Sequence, residues 1–205
     1  KQIKLIYFSA TGTTKKILES VALGMNPDAV SHIDLTLPGN SERMLQISPE
    51  ELAVFGAPVY GGRLPAEVIR RFRQLKAAGA LAVPIVLYGN REFDDALMEL
   101  KLLCEELGFQ PVAGAAFIGE HSFSTNEIPI AEGRPDTQDI KVAQEFGQKI
   151  KAKIEGIQSM DTLADLVVPG AFPYKAEGAK ALAVSPLTIE ENCTVCGTCA
   201  SVCPT

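Results

Sequence analysis

Short apolar runs alternate with amphipathic stretches through the first three quarters of the chain, and this alternation limits the folds that the chain can adopt. Apolar runs typical of buried strands occupy residues 3–8, 30–35, 52–56, 81–88 and 112–118. Between them, apolar side chains recur at steps of three and four residues, as they do on one face of an α-helix. Five such β-α units predict an α/β fold, in which helices cover both faces of a doubly wound, five-stranded parallel sheet.

The same periodicity predicts where the helices lie. The second helix is expected to begin at Pro65 and to reach Leu75, and the third is expected to carry residues 93–107. His32 lies within a strand pattern and Cys104 within a helical stripe. Both are therefore predicted to be core residues.

The predicted topology also indicates where a ligand would bind. In doubly wound sheets, ligands bind beyond the carboxyl ends of the strands, where the strand order reverses. Functional residues are therefore expected just after Phe8, Gly56, Tyr88 and Gly119. His121 lies in the last of these positions, where it could make a structural hydrogen bond, shape the binding site or accept a proton.

The loop after the first predicted strand has the composition of a phosphate-binding site. It reads Ser9-Ala10-Thr11-Gly12-Thr13-Thr14 and offers four hydroxyl groups and backbone N–H groups around a glycine. The N-terminus of the following helix adds the positive end of its dipole, which favours a phosphate without a basic side chain. Neither a Walker lysine pattern nor G-x-G-x-x-G is present, which argues against nucleoside triphosphates and dinucleotides. The alternative is an ordinary Ser/Thr helix cap, which needs fewer hydroxyl groups.

A cysteine run near the end of the chain predicts a metal site. The cysteines are Cys193, Cys196, Cys199 and Cys203, in the pattern C-x2-C-x2-C-x3-C-P. This spacing is typical of a bacterial 4Fe-4S ferredoxin, in which the fourth cysteine binds the other cluster of a pair. A second cysteine run is absent from this chain, so we expect no intact cluster on it alone. A zinc-bound interaction segment is the alternative, although zinc sites usually have separated cysteine pairs or histidines.

Composition excludes several classes of function. The net charge is −6 and the pI is about 5.0, which disfavours nucleic acid as a partner. The longest apolar stretch, residues 80–87, contains a proline and is too short to span a membrane. Four of the five cysteines lie in the terminal run, which is the cysteine usage of a cytoplasmic metal-binding protein rather than of a disulfide framework.

Three loops and the cysteine run together resemble a known family. The segment from Ser9 to Thr14 resembles the flavodoxin loop that binds the phosphate of flavin mononucleotide (FMN). Two further segments resemble the flavodoxin loops that sandwich the flavin ring; they read Pro58-Val59-Tyr60-Gly61-Gly62-Arg63-Leu64-Pro65 and Tyr88-Gly89-Asn90-Arg91-Glu92-Phe93-Asp94-Asp95. With the cysteine run, nearly the whole chain is similar to the flavodoxin–ferredoxin fusion family.

The resemblance implies a strand order of 2-1-3-4-5, bound FMN and 4Fe-4S clusters. It divides the chain into an FMN-binding domain at residues 1–156, a linker at 157–186 and the first half of a ferredoxin-like domain at 187–205. The implied FMN-binding residues are Ser9, Ala10, Thr11, Gly12, Thr13, Thr14, Pro58, Val59, Tyr60, Gly61, Gly62, Arg63, Tyr88, Gly89, Asn90, Arg91, Phe93 and Asp94.

Physical arguments bear on the ring loops. Gly61 and Gly62 can adopt positive φ at low cost, so the peptide between them could turn its carbonyl group toward the flavin, or the pair could form a plain tight turn. Tyr60, Tyr88 or Phe93 could stack on the ring, although Phe93 also fits the apolar face of its helix. Arginine near the ring would favour the reduced anion, and two candidates, Arg63 and Arg91, are present; the acids Glu92, Asp94 and Asp95 could offset Arg91, so the sequence leaves the sign of the effect open.

These features predict an electron carrier that relays electrons between a flavin and 4Fe-4S clusters, with separate donor and acceptor proteins. The acidic surface would steer docking to basic redox partners. The alternative is an enzyme, a flavin-dependent NAD(P)H:quinone-type reductase, although no nicotinamide signature is present. The oligomeric state is left open by the sequence.

Overall fold

The computed structural model describes residues 1–41, 44–159, 163–176 and 187–204. The strands are β1 (Gln2–Tyr7), β2 (Ala29–Asp34), β3 (Leu45–Ile47), β4 (Leu52–Pro58), β5 (Leu75–Ala77), β6 (Leu81–Tyr88), β7 (Gln110–Pro111) and β8 (Ala115–Ile118). The helices are α1 (Thr13–Met25), α2 (Ala66–Phe72), α3 (Ala96–Glu106), α4 (Thr137–Glu155) and α5 (Thr198–Val202). Short 3₁₀ helices lie at Pro38–Ser41 and Glu190–Asn192.

The main sheet is parallel and has the order β2-β1-β4-β6, with β7 and β8 sharing the position beyond β6. Counted along the five predicted strands, this is the order 2-1-3-4-5, so the predicted fold class and strand order are confirmed. The order reverses between β1 and β4, which creates a crevice at the carboxyl ends of these two strands.

Two apolar layers cover the faces of the sheet. One layer packs α1 and α4 against inward-facing residues such as Leu5, Val54 and Val83. The α1–α4 contact is close, because a Cβ added to Gly147 would lie 2.1 Å from the carbonyl oxygen of Val21.

The other layer packs α2 and α3 around an aromatic cluster. Phe55 contacts Phe72 and Phe109 edge to face, with ring centroids 5.5 and 5.0 Å apart. Cys104 lies in this layer with no exposed surface, and burial raises the pKa of its thiol. The prediction that Cys104 is a core residue is confirmed.

The second predicted helix is shorter than expected. Helix α2 ends at Phe72, and Leu75 begins β5, which pairs in parallel with β3 as a separate two-stranded sheet. Leu75 is still fully buried, because its strand lies against the same apolar layer. Neither β3 nor β5 was predicted, since three residues are too few for an alternating pattern.

The fifth predicted strand is also different. Instead of one strand over 112–118, β7 and β8 pair with opposite halves of β6 and are separated at 112–114. At this break, a Cβ added to Gly114 would lie 3.3 Å from Val168 and 3.6 Å from Leu166. A segment from much later in the chain therefore packs where the strand is interrupted.

The prediction that His32 is a core residue is wrong. Its side chain is 38 % exposed, and its Nδ1 atom lies 3.2 Å from the hydroxyl oxygen of Tyr7. The reason is the position of β2 at the edge of the sheet, where alternate side chains face solvent.

Residues 163–176, which we call the arm, have no helix or strand but pack on the sheet domain. Leu163 contacts the α1–α4 layer, whereas Leu166 and Val168 contact the α2–α3 layer. Much of the predicted linker is thus held against the fold, while the domain boundaries themselves remain predictions. No helix within the described ranges combines the length and the apolarity that crossing a membrane requires.

Candidate functional site

A cleft opens at the carboxyl edge of the sheet, next to the point at which strand order reverses. Loops that follow β1, β4, β6 and β8 line it, as the topology predicts. Its lining residues are Ala10, Thr11, Thr13, Thr14, Pro58, Val59, Tyr60, Leu87, Tyr88, Gly89, Gly119, Glu120, His121 and Ser122.

One end of the cleft is formed by backbone donors. The N–H groups of Thr11, Thr13 and Thr14 donate to no acceptor in the part of the chain that the structure describes. Thr13 and Thr14 are the first two residues of α1, whose leading N–H groups have no partner within the helix. The positive end of the helix dipole lies at the same place, so this end of the cleft suits an anion.

The loop is held in place by contacts behind it. Gly12 has a φ of 80°, a left-handed conformation that side chains disfavour, and it is the N-cap residue that precedes α1. The Ser9 hydroxyl accepts the N–H of Lys15 at 3.1 Å, which leaves its own hydrogen available to a ligand. The Ser9 N–H in turn donates to the hydroxyl of Thr36 at 2.9 Å.

The hydroxyl groups of the loop are not equivalent. Those of Thr11 and Thr13 lie 3.1 Å apart, at the surface of the loop. Thr14 is buried, and its methyl group packs over Gly56, where a Cβ would lie 2.7 Å from it. The exposed pair is therefore better placed than Thr14 to reach a ligand.

The loop after β4 makes a tight turn over residues 60–63. Gly61 and Gly62 have φ values of 59° and 74°, and Tyr60 and Arg63 exchange both backbone hydrogen bonds. Two consecutive positive φ values define a type I′ turn, as the two glycines predicted. Gly62 is also needed sterically, since a Cβ there would lie 2.3 Å from the carboxylate of Asp94.

The loop after β6 approaches this turn from the other side. Tyr88 lines the cleft and meets Phe93 edge to face, with ring centroids 5.3 Å apart. Asn90 and Asp94 have positive φ values of 54° and 40°, which these residue types tolerate better than others. Arg91 is exposed, and neither it nor Phe93 contributes to the lining of the cleft.

Arg63 has its charged group outside the cleft. Its guanidinium donates to both carboxylate oxygens of Glu99, at 2.6 and 2.9 Å, and lies 3.9 Å from the ring centroid of Tyr174. The hydrogen bonds with Glu99 raise the pKa of Arg63. Arg63 thus contributes its backbone to the turn, while its side chain belongs to the attachment of the arm.

His121 closes one wall of the cleft. Its ring packs over Gly89, where a Cβ would lie 2.3 Å from the imidazole, and it lies beside the exposed ring of Phe123. Its Nδ1 atom accepts the N–H of Phe123 at 3.0 Å. This is a structural hydrogen bond of the kind predicted for His121, and the ring also lines the cleft, while its roles in shaping a binding site and in accepting a proton stay predictions.

The cysteine segment, residues 193–203, is arranged differently. Cys193, Cys196 and Cys199 are exposed, and no three metal-binding side chains converge anywhere in the described ranges. The turns between these cysteines are tight, with φ values of 55° at Val195 and 76° at Gly197. A hydrogen bond with the Thr198 hydroxyl lowers the pKa of Cys196 to about 7, which favours the metal-binding thiolate.

Two further residues have structural roles that sequence reasoning missed, since Asp95 binds the arm and Arg71 binds the chain next to the cysteine segment. Asp95 is buried and accepts backbone N–H groups from the arm. Arg71 is fully buried and donates to the carbonyl groups of Leu35, Thr36 and Pro204. Neither has a sequence signature, because in each case the partner is a distant backbone group.

Comparison with known proteins agrees with this description. Residues 186–205 match the family described as the 4Fe-4S binding domain. No curated protein matches the chain.

Solved structures resemble the rest of the chain. Oxidised flavodoxin 2 from Bacillus cereus has a TM-score of 0.53 and 16 % identity, and the match covers 77 % of this chain and 100 % of that one. The flavodoxin of Streptococcus pneumoniae TIGR4 has a TM-score of 0.51 and 15 % identity, over 75 % of this chain and 99 % of that one. A flavone reductase has a TM-score of 0.54 and 10 % identity, and the match covers 81 % of this chain and 66 % of that one. The protein therefore combines a flavodoxin-like fold with a C-terminal 4Fe-4S segment, which is the architecture of a flavodoxin–ferredoxin fusion.

Proposed function

We propose that the protein binds FMN in the cleft and transfers electrons between the flavin and iron–sulfur clusters held by the cysteine segment. The observation that carries this proposal is the group of N–H donors at Thr11, Thr13 and Thr14, which have no acceptor among the described residues and lie at the carboxyl edge of a flavodoxin-like sheet. FMN has a phosphate at one end and a flat aromatic ring at the other, and the cleft has matching chemistry at its two ends.

The residues of the cleft fit this cofactor. The loop at residues 9–14 would hold the phosphate through backbone N–H groups and the hydroxyls of Thr11 and Thr13. Tyr60 is 46 % exposed and Tyr88 is half-buried, so both can offer a ring face at the other end. The turn at Gly61 and Gly62 lets the backbone approach closely there. When bound, FMN supplies one- and two-electron redox chemistry.

The proposed iron–sulfur site rests on the cysteine segment. Its spacing and its match to the 4Fe-4S family support thiolate ligation by Cys193, Cys196 and Cys199, with Cys203 serving a second cluster. A cubic cluster moves electrons singly, and flavin can accept or release them singly or in pairs. The pairing of the two groups in one chain supports a relay between separate redox proteins.

A reductase acting on quinone-type acceptors is the second candidate. It is favoured by the exposure of Tyr60 at the mouth of the cleft, which leaves that end accessible to a small acceptor. The two functions differ in their response to NAD(P)H. Bleaching of the bound flavin by NAD(P)H would support the reductase, whereas an unchanged spectrum supports the relay.

The binding proposal is tested by titrating the protein with FMN and with riboflavin, which lacks the phosphate. Charge-assisted hydrogen bonds from the loop are worth about 1.5–3 kcal/mol each, so we expect FMN to bind at least about tenfold more tightly. Quenching of flavin fluorescence gives both dissociation constants. Equal affinities, or no binding of either compound, would contradict a phosphate site at residues 9–14.

A further inference from the structure

The arm begins at the end of the molecule opposite the cleft. Helix α4, which precedes the arm, ends near the amino edge of the sheet, since Ile154 and Glu155 share a cavity with Ile3 and Leu52 at the starts of β1 and β4. The cleft lies at the carboxyl edge of the same sheet. The chain that follows α4 must therefore run from the amino edge of the sheet to its carboxyl edge before it reaches the cleft.

The arm passes around the edge of the sheet, from one apolar layer to the other. Leu163 packs on the α1–α4 layer, and Leu166 and Val168 pack on the α2–α3 layer. The crossing occurs at Gly114, in the break between β7 and β8, where Val168 lies 3.3 Å from a hypothetical Cβ. Val168 is only 8 % exposed, so the arm forms part of the core at this point.

The described part of the arm then binds the carboxylate of Asp95, beside the loops that follow β4 and β6. Asp95 Oδ1 accepts the N–H of Ala171 at 2.8 Å, and Asp95 Oδ2 accepts those of Lys175 and Ala176 at 2.6 and 2.7 Å. Asp95 is the N-cap residue of α3, but its carboxylate makes no cap hydrogen bond with its own helix. Its backbone N–H donates to the carbonyl of Gly62 at 3.0 Å, which joins the same residue to the tight turn.

Asp136 shows what an N-cap aspartate does when no other segment competes for it. Its carboxylate accepts the N–H groups of Gln138 and Asp139, in the first turn of α4. An aspartate at an N-cap usually stabilises its helix in this way. Asp95 instead gives its carboxylate to the arm, and Arg63 adds a 3.4 Å hydrogen bond to the carbonyl of Ala176.

The other side of the cysteine segment is attached near the same edge. Arg71, on α2, donates to the carbonyl of Pro204 and to those of Leu35 and Thr36, which follow β2. The hydroxyl of Thr36 also accepts the N–H of Ser9, at the start of the loop at residues 9–14. The chain is therefore fixed on the cleft side both at Ala176, before the cysteines, and at Pro204, after them.

We propose that two attachments, the arm on Asp95 and Pro204 on Arg71, together keep the cysteine segment beside the cleft, with Asp95 as the positioning residue that anchors the arm. The consequence for electron transfer, that an iron–sulfur group is held on the same side of the sheet as the flavin, rests on the proposed function. The attachment itself depends on neither cofactor. Asp95→Asn keeps the size of the side chain but removes one acceptor oxygen and the charge that three N–H groups share.

The attachment is tested by hydrogen exchange and trypsin cleavage of the protein without added flavin. Asp95→Asn is expected to speed amide exchange at Ala171, Lys175 and Ala176, and tryptic cleavage after Lys175, by at least about tenfold. Asp136→Asn is the matched control, because it removes another N-cap carboxylate with two backbone partners. It should leave the protection of the arm unchanged, because both of its N–H partners are accepted by Oδ1, an oxygen that the amide retains.

The placement is tested with a nitroxide on Cys193 in a chain whose other terminal-run cysteines are serine; Cys104 is fully buried. The nitroxide should broaden amide signals of α2 more than those of α4, and Asp95→Asn should reduce that difference. Unchanged protection of the arm in Asp95→Asn, or equal broadening of α2 and α4 in the parent protein, would overturn the proposal. Failure to bind FMN would overturn only the proposed function, since neither measurement uses the flavin.

Discussion

The loop at residues 9–14 and the cysteine segment at residues 193–203 are the two regions that we propose hold a redox group, but the fold prepares them differently. In the loop, the helix N-terminus, the φ of Gly12 and the Ser9 contacts fix the donors in position. In the cysteine segment, the side chains from Cys193 to Cys199 are exposed and do not converge. One site is shaped by the protein, and the other would be shaped by its metal.

The difference follows from what surrounds each site. The loop joins β1 to α1, and both elements pack in the α1–α4 layer. This packing sets the geometry of the loop, so the loop needs no ligand to hold its shape. The cysteine segment contributes no residue to either core layer. Metal sites of this kind gain their folded structure from the binding free energy itself. Changes in the loop should therefore affect ligand affinity and stability together, and changes in the cysteine segment should leave the sheet domain intact.

The largest expected effect is at Arg71, where the two regions meet. Arg71→Met removes the donors for the carbonyl groups of Leu35 and Thr36 in a fully buried site. Because buried groups without partners cost about 1–3 kcal/mol each, we expect the free energy of unfolding to fall by about 3 kcal/mol. Urea denaturation measures this loss.

Arg70→Met is the control for this prediction. Arg70 pairs with Glu67, as Arg71 does, but its side chain is 59 % exposed. Its loss should change the free energy of unfolding by less than about 0.5 kcal/mol. If the two variants were equally stable, the buried contacts of Arg71 would not stabilise the fold. The sheet domain would then be even more independent of the cysteine segment than we propose.

Gly12→Ala tests the loop with a smaller effect. Gly12 and Gly79 have φ values of 80° and 84°, and a Cβ at either position would meet nothing within 4 Å. Alanine should cost about 1 kcal/mol of stability at both positions, because the left-handed conformation strains it. Only Gly12→Ala should also weaken FMN binding, by about tenfold, since relaxation of the strain moves the donors of the loop. Equal FMN affinities in the two variants, measured by fluorescence titration, would show that the loop geometry does not limit binding.

The sequence predicted the parts of the molecule that depend on regular periodicity. The alternation of strands and helices was enough to place the cleft at the carboxyl edge of the sheet, and residues of the 9–14 loop line it, while anion binding there stays a prediction. The interpretation of Gly61 and Gly62 as positive-φ residues also holds, because few other residue types adopt that conformation. These successes share a local cause, since each depends on residues within one turn or one element.

What the sequence could not predict depends on contacts between distant backbone groups. The attachment of the arm consists of N–H groups from Ala171 to Ala176 meeting Asp95, and such contacts have no periodicity to detect. The side chain of Arg63 turns to Glu99 for a similar reason, since its partner lies on another element. The predicted fifth strand is interrupted where the arm packs beside Gly114, and the strand pattern in the sequence contains no sign of this contact.

The smallest expected effect is the response of the Arg71 site to acid. Hydrogen bonds from Arg70 and Arg71 lower the pKa of Glu67 to about 2, from an ordinary value of 4.5. A pKa that is lower in the folded state stabilises the protein above about pH 4.5, and this stabilisation is lost as the pH falls toward 2. Because the side chain of Arg70 is largely exposed, we expect a contribution below about 1 kcal/mol. The difference in unfolding free energy between the parent protein and Glu67→Gln should therefore shrink over this range.

Comparison of urea unfolding at pH 6 and pH 3 measures this change. Glu106→Gln is a suitable control, because Glu106 also pairs with an arginine, Arg73, but both side chains are more than half exposed. Its effect on stability should be smaller at pH 6 than that of Glu67→Gln. A difference for Glu67→Gln that stayed constant with pH would mean that Glu67 acts by packing rather than by charge. Arg71 would then be held by the carbonyl groups around it, and the junction with the cysteine segment would be insensitive to acid.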